Sequence, residues 1–224
     1  MELWNDDGVA DKTDLYDTIA GTGKALAHGK RLEMLELLAQ GERSVQELAR
    51  TVGLKLTTAS AHLQVLNEAG LVATRRQGTS VMYRLAGEDV AGLLSVLCRV
   101  ADTHRADVAA VRRTYLDNEG IRLVGREELM QAATEGRALV LDVRPAEEYA
   151  AGHVPGAVSV PLEELADRLA EIPADTEVVA YCRGRYCVLS YDAVRLLQAS
   201  GRDAALLEDG ILEWRRDGLL VTAA

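Results

Sequence analysis

Two cysteines lie five residues apart at the end of an apolar run. Val178–Tyr181 leads into Cys182, Arg183, Gly184, Arg185, Tyr186 and Cys187, and a helical pattern begins at Val188. A thiolate, not a thiol, is the sulfur nucleophile, so such a loop must favour negative charge. Successive backbone N–H groups wrapped onto a helix N-terminus form an anion nest that does this. Arg183 and Arg185 add positive potential, Gly184 supplies backbone freedom at the turn, and Tyr186 completes the loop. The chemistry available to such a loop is that of a reactive thiolate at Cys182. That requires Cys182 to be open to solvent and to face peptide nitrogens. Cys187 has two readings, a resolving thiol that closes onto Cys182 or a buried residue of the first helical turn. Phosphoryl chemistry is excluded by spacing. A Cys-x5-Arg oxyanion grip needs arginine where this chain has Val188.

A second constellation lies a hundred residues earlier. Thr57, Thr58, Ser60, Ala61, His62 and Gln64 open a helical segment, and Arg75, Arg76 and Arg84 lie in a β-rich stretch after it. Small hydroxyls let a helix approach phosphates, while His62 and Gln64 reach base edges in the major groove. Arginines on a hairpin meet phosphate or the minor groove. The chain of 224 residues carries a net charge of −10. Within it, residues 43–84 hold 6 basic and 2 acidic residues, net +4. A basic island in an acidic protein points to a polyanion partner or to an ordinary solvated face.

The elements that would position these groups are legible in outline. Residues 15–38 have helical periodicity. Ser44 and Glu47 form a capping box for a helix whose apolar face is Val45, Leu48, Ala49 and Val52. Gly53 ends it. A third helix turns Ala59, Leu63 and Leu66 inward and stops at Gly70. Two β-rich arms around Gln77–Gly78 read as a hairpin. From Glu88 to Tyr115 the residues Val90, Leu94, Leu97, Ala101, His104, Val108, Val111 and Tyr115 form a heptad seam on one long helix, which a partner helix from a second copy would cover. Beyond Gly120 short apolar runs alternate with helical segments, the pattern of a parallel sheet covered on both faces. The texture changes near residues 116–122, giving a domain of residues 1–118 and another of 119–224. No apolar run approaches a membrane span, the acidic N-terminus is not a signal peptide, and three cysteines suit a reducing cytoplasm rather than a disulfide framework.

Helix, turn, helix and hairpin is the winged helix-turn-helix layout. The stretch GERSVQELARTVGLKLTTASAHLQVLNEAGLVATRRQGTSVMYRL, with its A-x-H-L-x-x-L core, resembles the ArsR-type repressors over roughly residues 15–115. That resemblance implies a homodimer paired through the first and last helices of this domain, bound to double-stranded operator DNA and released by an inducer. The inducer site is not the usual one. The second-helix segment SVQELAR has no cysteine. Asp102 and His104 match half of a zinc site whose later positions hold Tyr115 and Asn118, poor zinc ligands. No metal and no cofactor is therefore expected. Persulfide-sensing members pair an early-helix cysteine with one in the last helix; here Glu36 stands early, and Cys98 stands late as a candidate sensor thiol or a small apolar residue beside the seam.

LVLDVRPAEEYAAGHVPGAVSVPLEEL, then VVAYCRG and LEDGILEWRRDGL, resemble the rhodanese sulfurtransferases over about residues 121–221. The resemblance places the family's catalytic cysteine at Cys182. It implies rhodanese-type sulfurtransferase chemistry with a small anionic donor such as thiosulfate or polysulfide. Asp142 and Arg144 should brace the strand end with Glu148 as an ion-pair partner, and His153 should pack in its own turn. The expected whole is a two-domain repressor that senses reactive sulfur through Cys182. The alternatives are a sulfurtransferase enzyme with an attached DNA-binding domain and a metalloid sensor using Cys182 and Cys187 as a dithiol.

Overall fold

The structure, a computed structural model, describes residues 11–116, 120–219 and 221–222. The first ten residues of the acidic N-terminus, Asn118, and the centre of the 116–122 texture change lie outside the described residues. The fold is two domains: a helical winged helix-turn-helix, then a rhodanese-like α/β domain. By packing, the chain divides into compact units at Val90/Ala91.

The first unit holds α1 (Lys12–Leu26), α2 (Gly29–Leu38), β1 (Arg43–Ser44), α3 (Val45–Thr51), α4 (Leu56–Glu68), β2 (Val72–Gln77) and β3 (Ser80–Leu85). The periodic stretch 15–38 is thus two helices, because the His28 side chain caps α2 and breaks the run. Ser44 caps α3 as expected: its Oγ accepts the Glu47 N–H at 3.2 Å, and Glu47 Oε2 accepts the Ser44 N–H at 2.7 Å. These bonds hold the Glu47 carboxyl below its usual range. Gly53 ends α3 and Gly70 follows the end of α4, with φ of 67° and 72°, conformations that disfavour a Cβ. Leu48, Ala59, Leu63 and Leu66 are fully buried with Met34 and Leu35. The hairpin β2–β3 is antiparallel, with β1 on the far edge of β3.

The second unit begins inside α5 (Glu88–His104) and continues through α6 (Ala106–Leu116). The single long helix expected from the heptads is broken at Arg105. Its guanidinium turns onto Asp107, with Nη2–Oδ2 at 2.5 Å. Its carbonyl accepts from Val108 and Ala109, which starts α6 afresh. Asp107 in that first turn also suits the positive helix end. Val90 and Leu94 of the seam are buried, whereas Val111 and Tyr115 are 67% and 60% exposed.

Then follow β4 (Leu123–Val124), α7 (Arg126–Thr134), β5 (Ala138–Asp142), α8 (Ala146–Ala150), β6 (Val158–Ser159), α9 (Leu162–Leu165), β7 (Glu177–Tyr181), α10 (Val188–Ala199), β8 (Ala204–Leu207) and α11 (Ile211–Arg216). The strands form one parallel sheet in the order β4-β8-β7-β5-β6. The central strand β7 explains why its sequence is apolar throughout. Val178 and Ala180 pack on one face with Leu141, Val194 and Leu197. Val179 and Tyr181 pack on the other with Val140, Leu129 and Trp214. Alternation sends successive side chains to opposite cores, and Cys182 leaves the strand at its carboxyl end.

The first turn of α11 closes over that exit. Ile211 and Leu212 donate their N–H groups to the carbonyls of Cys182 and Arg183 at 3.1 and 2.9 Å. Gly210 lies so close that a Cβ there would collide with the backbone N and Cα of Gly184. Backbone cannot yield as a flexible side chain does. Gly210→Ala is therefore expected to cost about 1–3 kcal/mol, the usual range for overpacking, read as a lower denaturation midpoint for the full chain. An unchanged midpoint would show that the loop and α11 separate freely.

Candidate functional site

The site is built on the carboxyl ends of β5 and β7, the edge where parallel α/β sheets place their ligands. Asp142 and Arg144 are both fully buried. Arg144 donates to Asp142 in a fork, with Nε–Oδ1 at 2.9 Å and Nη2–Oδ2 at 2.5 Å, and Nη2 also reaches the Gly152 carbonyl at 2.8 Å. The Tyr181 hydroxyl donates to Asp142 Oδ2 at 2.5 Å and accepts the Val154 N–H at 3.0 Å. Burial and the Asp142 charge push the Tyr181 phenol strongly up, so it stays a donor. The bracing role read for Asp142 and Arg144 thus has a third member, Tyr181, which sequence reading took only for a strand residue.

Glu148, 1% exposed, receives a two-toothed grip from Arg183, with Nη2–Oε1 at 2.7 Å and Nε–Oε2 at 3.0 Å. Its charge also acts on Arg144. Arg183 is accordingly engaged with a carboxylate instead of standing open to an anionic donor. His153 stacks on Tyr149 at 3.7 Å between ring centroids and shares a hydrogen bond with the Tyr149 carbonyl.

Cys182 and Cys187 are joined as a disulfide with Cα atoms 6.2 Å apart. Cys182 is 2% exposed and Cys187 7%. The expectation of an open Cys182 thus fails for this oxidised loop: the bond between the sulfurs leaves no thiolate, and the chain seals over both. The Cys187 N–H turns back to the Gly184 carbonyl at 3.0 Å. Among the described residues, the N–H groups of Arg183, Gly184, Arg185 and Tyr186 have no backbone acceptor. Gly184 is not in a left-handed conformation, and its surroundings are close. A Cβ there would lie 3.3 Å from Glu213 Oε2 and 3.6 Å from Leu212 Cβ.

The loop also touches α5. Tyr186 donates its hydroxyl to the Cys98 carbonyl at 3.2 Å. Burial first, then the neighbouring Cys98 and Asp102, push the Tyr186 phenol up to about 12. Arg185 stands between Asp102 Oδ2 at 3.9 Å and Asp209 Oδ1 at 3.8 Å. Asp102 in turn accepts Arg112 of α6 at 2.9 Å, so the half zinc motif is here an ion-pair partner, with His104 exposed. Among the described residues no group of three or more His, Cys, Asp or Glu is gathered for a metal. Cys98 is half-buried and outside the disulfide.

On α4, Thr57, Thr58, Ser60, Ala61 and Gln64 are exposed and His62 is half-buried. His62 packs against His28 at 4.4 Å, and Gln64 donates to Glu68 at 2.9 Å. Arg75 is held by Glu42, with Nη2–Oε2 at 2.5 Å. Arg84 donates to the Leu85 carbonyl at 3.2 Å, and Arg76 is exposed.

A winged helix-turn-helix followed by a rhodanese-like domain defines a class, a DNA-binding transcriptional regulator with a C-terminal rhodanese-like domain. Family comparison agrees: residues 28–74 match the bacterial regulatory protein, arsR family, and residues 125–217 match the rhodanese-like domain. The chain is 52% identical over 210 residues to the HTH-type transcriptional regulator Rv0324 of Mycobacterium tuberculosis, covering 94% of this chain and 92% of that one. It belongs to the ArsR-family regulators that carry a C-terminal rhodanese domain. A sulfurtransferase of Allochromatium vinosum is 38% identical over 86 residues, covering 38% of this chain and 78% of that one. The solution structure of the homodimeric winged helix-turn-helix DNA-binding domain Mb0332 from Mycobacterium bovis is 50% identical. It covers 48% of this chain and 95% of its own, with a TM-score of 0.41.

Glu213 was not singled out by sequence, yet it lies under the loop, 3% exposed, accepting the Gly210 N–H at 2.9 Å. Burial pushes its carboxyl above the ordinary 4.5. The folded state therefore holds this proton more tightly than the unfolded chain. Stability from this group is complete below the unfolded value and is lost as pH rises through the folded one. Glu213→Gln keeps an acceptor for Gly210 without a buried charge. The variant should melt higher than wild type at neutral pH, with the gap shrinking as pH falls towards 4.5. A pH series of thermal unfolding curves checks this, and a gap that widens on acidification would reverse the assignment.

Proposed function

We propose that this chain is a cytoplasmic repressor that senses reactive sulfur through its rhodanese loop. A small anionic donor, thiosulfate or a polysulfide, loads sulfur on Cys182, and the change in the loop is passed to the DNA-binding half. The observation that carries the reading is the pairing of Cys182 with Cys187 at the end of β7, on a loop whose Arg185 and Tyr186 reach α5. A loop that only turned sulfur over would have no need of a second thiol bonded to the first. Amides of Arg183 to Tyr186 without backbone acceptors would receive a persulfide anion.

The exposed hydroxyls of α4 and the wing arginines Arg76 and Arg84 would contact operator DNA. Arg75 must first leave Glu42. Two copies would pair through α1 and α5, where Leu15, Tyr16, Ile19, Leu93, Val96 and Val100 are exposed. Covering such apolar groups is favourable at roughly 25 cal/mol per Å². Cys98, whose carbonyl receives Tyr186, lies where loop and seam helix meet, and it is the candidate sensor thiol.

The alternative is a sulfurtransferase with an attached DNA-binding domain, favoured by the likeness of residues in this half to a curated sulfurtransferase. A gel-shift titration with polysulfide separates the two. Wild type should release operator DNA as polysulfide rises, and Cys182→Ser should stay bound across the same range. Release at equal concentrations by both proteins would remove the sensing role. Steady thiocyanate production from thiosulfate and cyanide, with DNA binding unaltered, would select the enzyme.

A further inference from the structure

We infer that the loop reduces the persulfide it captures, releasing hydrogen sulfide and closing as the Cys182–Cys187 disulfide. This rests on the reading of Cys182 as the sulfur acceptor. It adds an activity, persulfide reduction, and assigns Cys187 as the residue that performs it.

The geometry supports a built-in second step. The two cysteines are five residues apart, their Cα atoms are 6.2 Å apart, and their sulfurs are bonded. That separation lies in the range in which two cysteines close without backbone rearrangement. Cys187 is the N-cap residue of the twelve-residue helix α10, and no side chain caps that end. The positive helix end favours negative charge at that place. Two bonds fix its backbone: its N–H donates to the Gly184 carbonyl at 3.0 Å, and its carbonyl accepts Ser190 Oγ at 3.3 Å. A sulfur atom loaded on Cys182 therefore meets a thiol already held beside it.

The chemistry balances without any other oxidant. The Cys182 thiolate attacks the terminal sulfur of an organic persulfide R–S–SH. The donor S–S bond breaks, R–S⁻ leaves, and Cys182–S–SH forms. The Cys187 thiolate then attacks the Cys182 sulfur. A bond forms between the two cysteine sulfurs, the Cys182–S–SH bond breaks, and HS⁻ departs with the electron pair. The two cysteines together lose two electrons, and the transferred sulfur, formally zero-valent, gains both and becomes sulfide. The two thiol protons end on R–S⁻ and HS⁻. The products are one disulfide, one R–SH and one hydrogen sulfide.

Closure also stops the reaction. In the disulfide form neither sulfur is a thiolate, so a second donor meets no nucleophile until a small thiol reduces the bond. Each chain thus registers one event, which suits a switch better than a continuous carrier.

The test uses the full chain, reduced, freed of reductant, and mixed with glutathione persulfide. Released sulfide is measured and each cysteine is followed by mass spectrometry, with Cys182→Ser giving the background. Wild type should release one sulfide for each Cys182–Cys187 bond formed. Cys187→Ser and Cys187→Ala should both stop with one extra sulfur atom on Cys182 and no sulfide above background; using both guards against one variant misfolding. Wild type that keeps the extra sulfur on Cys182 while Cys187 remains a thiol overturns the inference and leaves Cys182 as acceptor. Absence of any extra sulfur on Cys182 in both Cys187 variants overturns the acceptor reading itself, and the inference with it.

Discussion

A guanidinium with no exposure to water must be matched group for group, because an unpaired buried charge is among the costliest defects a fold can carry. Arg144 meets that demand with both oxygens of Asp142 and the carbonyl of Gly152. Tyr181 completes the set from the neighbouring strand. The pair therefore locks the end of β5 to the end of β7, one residue before Cys182. Loop position follows from this. Arg183, the next residue, is itself fixed by the buried Glu148. The loop thus departs from a point held by two charge clusters and is covered by the first turn of α11.

Between those anchors, the middle of the loop is directed elsewhere. Arg185 and Tyr186 face α5, where they meet Asp102 and the Cys98 carbonyl. Asp102 also holds Arg112 of α6. Charges that are partly exposed contribute little individually, but here they select which helix the loop rests on. The first three residues of α5 belong to the first compact unit and the remainder to the second. The loop thus touches an element that both units share.

Much of this was legible beforehand. The Ser44–Glu47 box, the stops at Gly53 and Gly70, and the inward face of α4 are local patterns, and local patterns survive into the structure because their partners lie within one turn. A continuous apolar run marked β7, so the place of Cys182 was also readable. The break at Arg105 was not, since apolar spacing is blind to an arginine that turns onto Asp107. Nor was the engagement of Arg183, whose partner lies 35 positions away in sequence. Gly184 was ascribed to a backbone turn, whereas a Cβ there would press on Glu213 and Leu212, and it is Gly210 whose missing side chain lets α11 approach the loop.

The chain alone determined which chemistry was available: two thiols on a strand-to-helix loop, a recognition helix with small hydroxyls, and two domains of different texture. Residue type and periodicity settle such things because they depend on neighbours a few positions away. Tertiary structure decided whether the thiols stand apart or bonded, whether Cys182 sees water, and which arginine is taken up by the buried Glu148. Those outcomes depend on what lies across the sheet and on α11. A carboxylate or a glycine brought in from far along the chain changes burial and charge in ways no local pattern records.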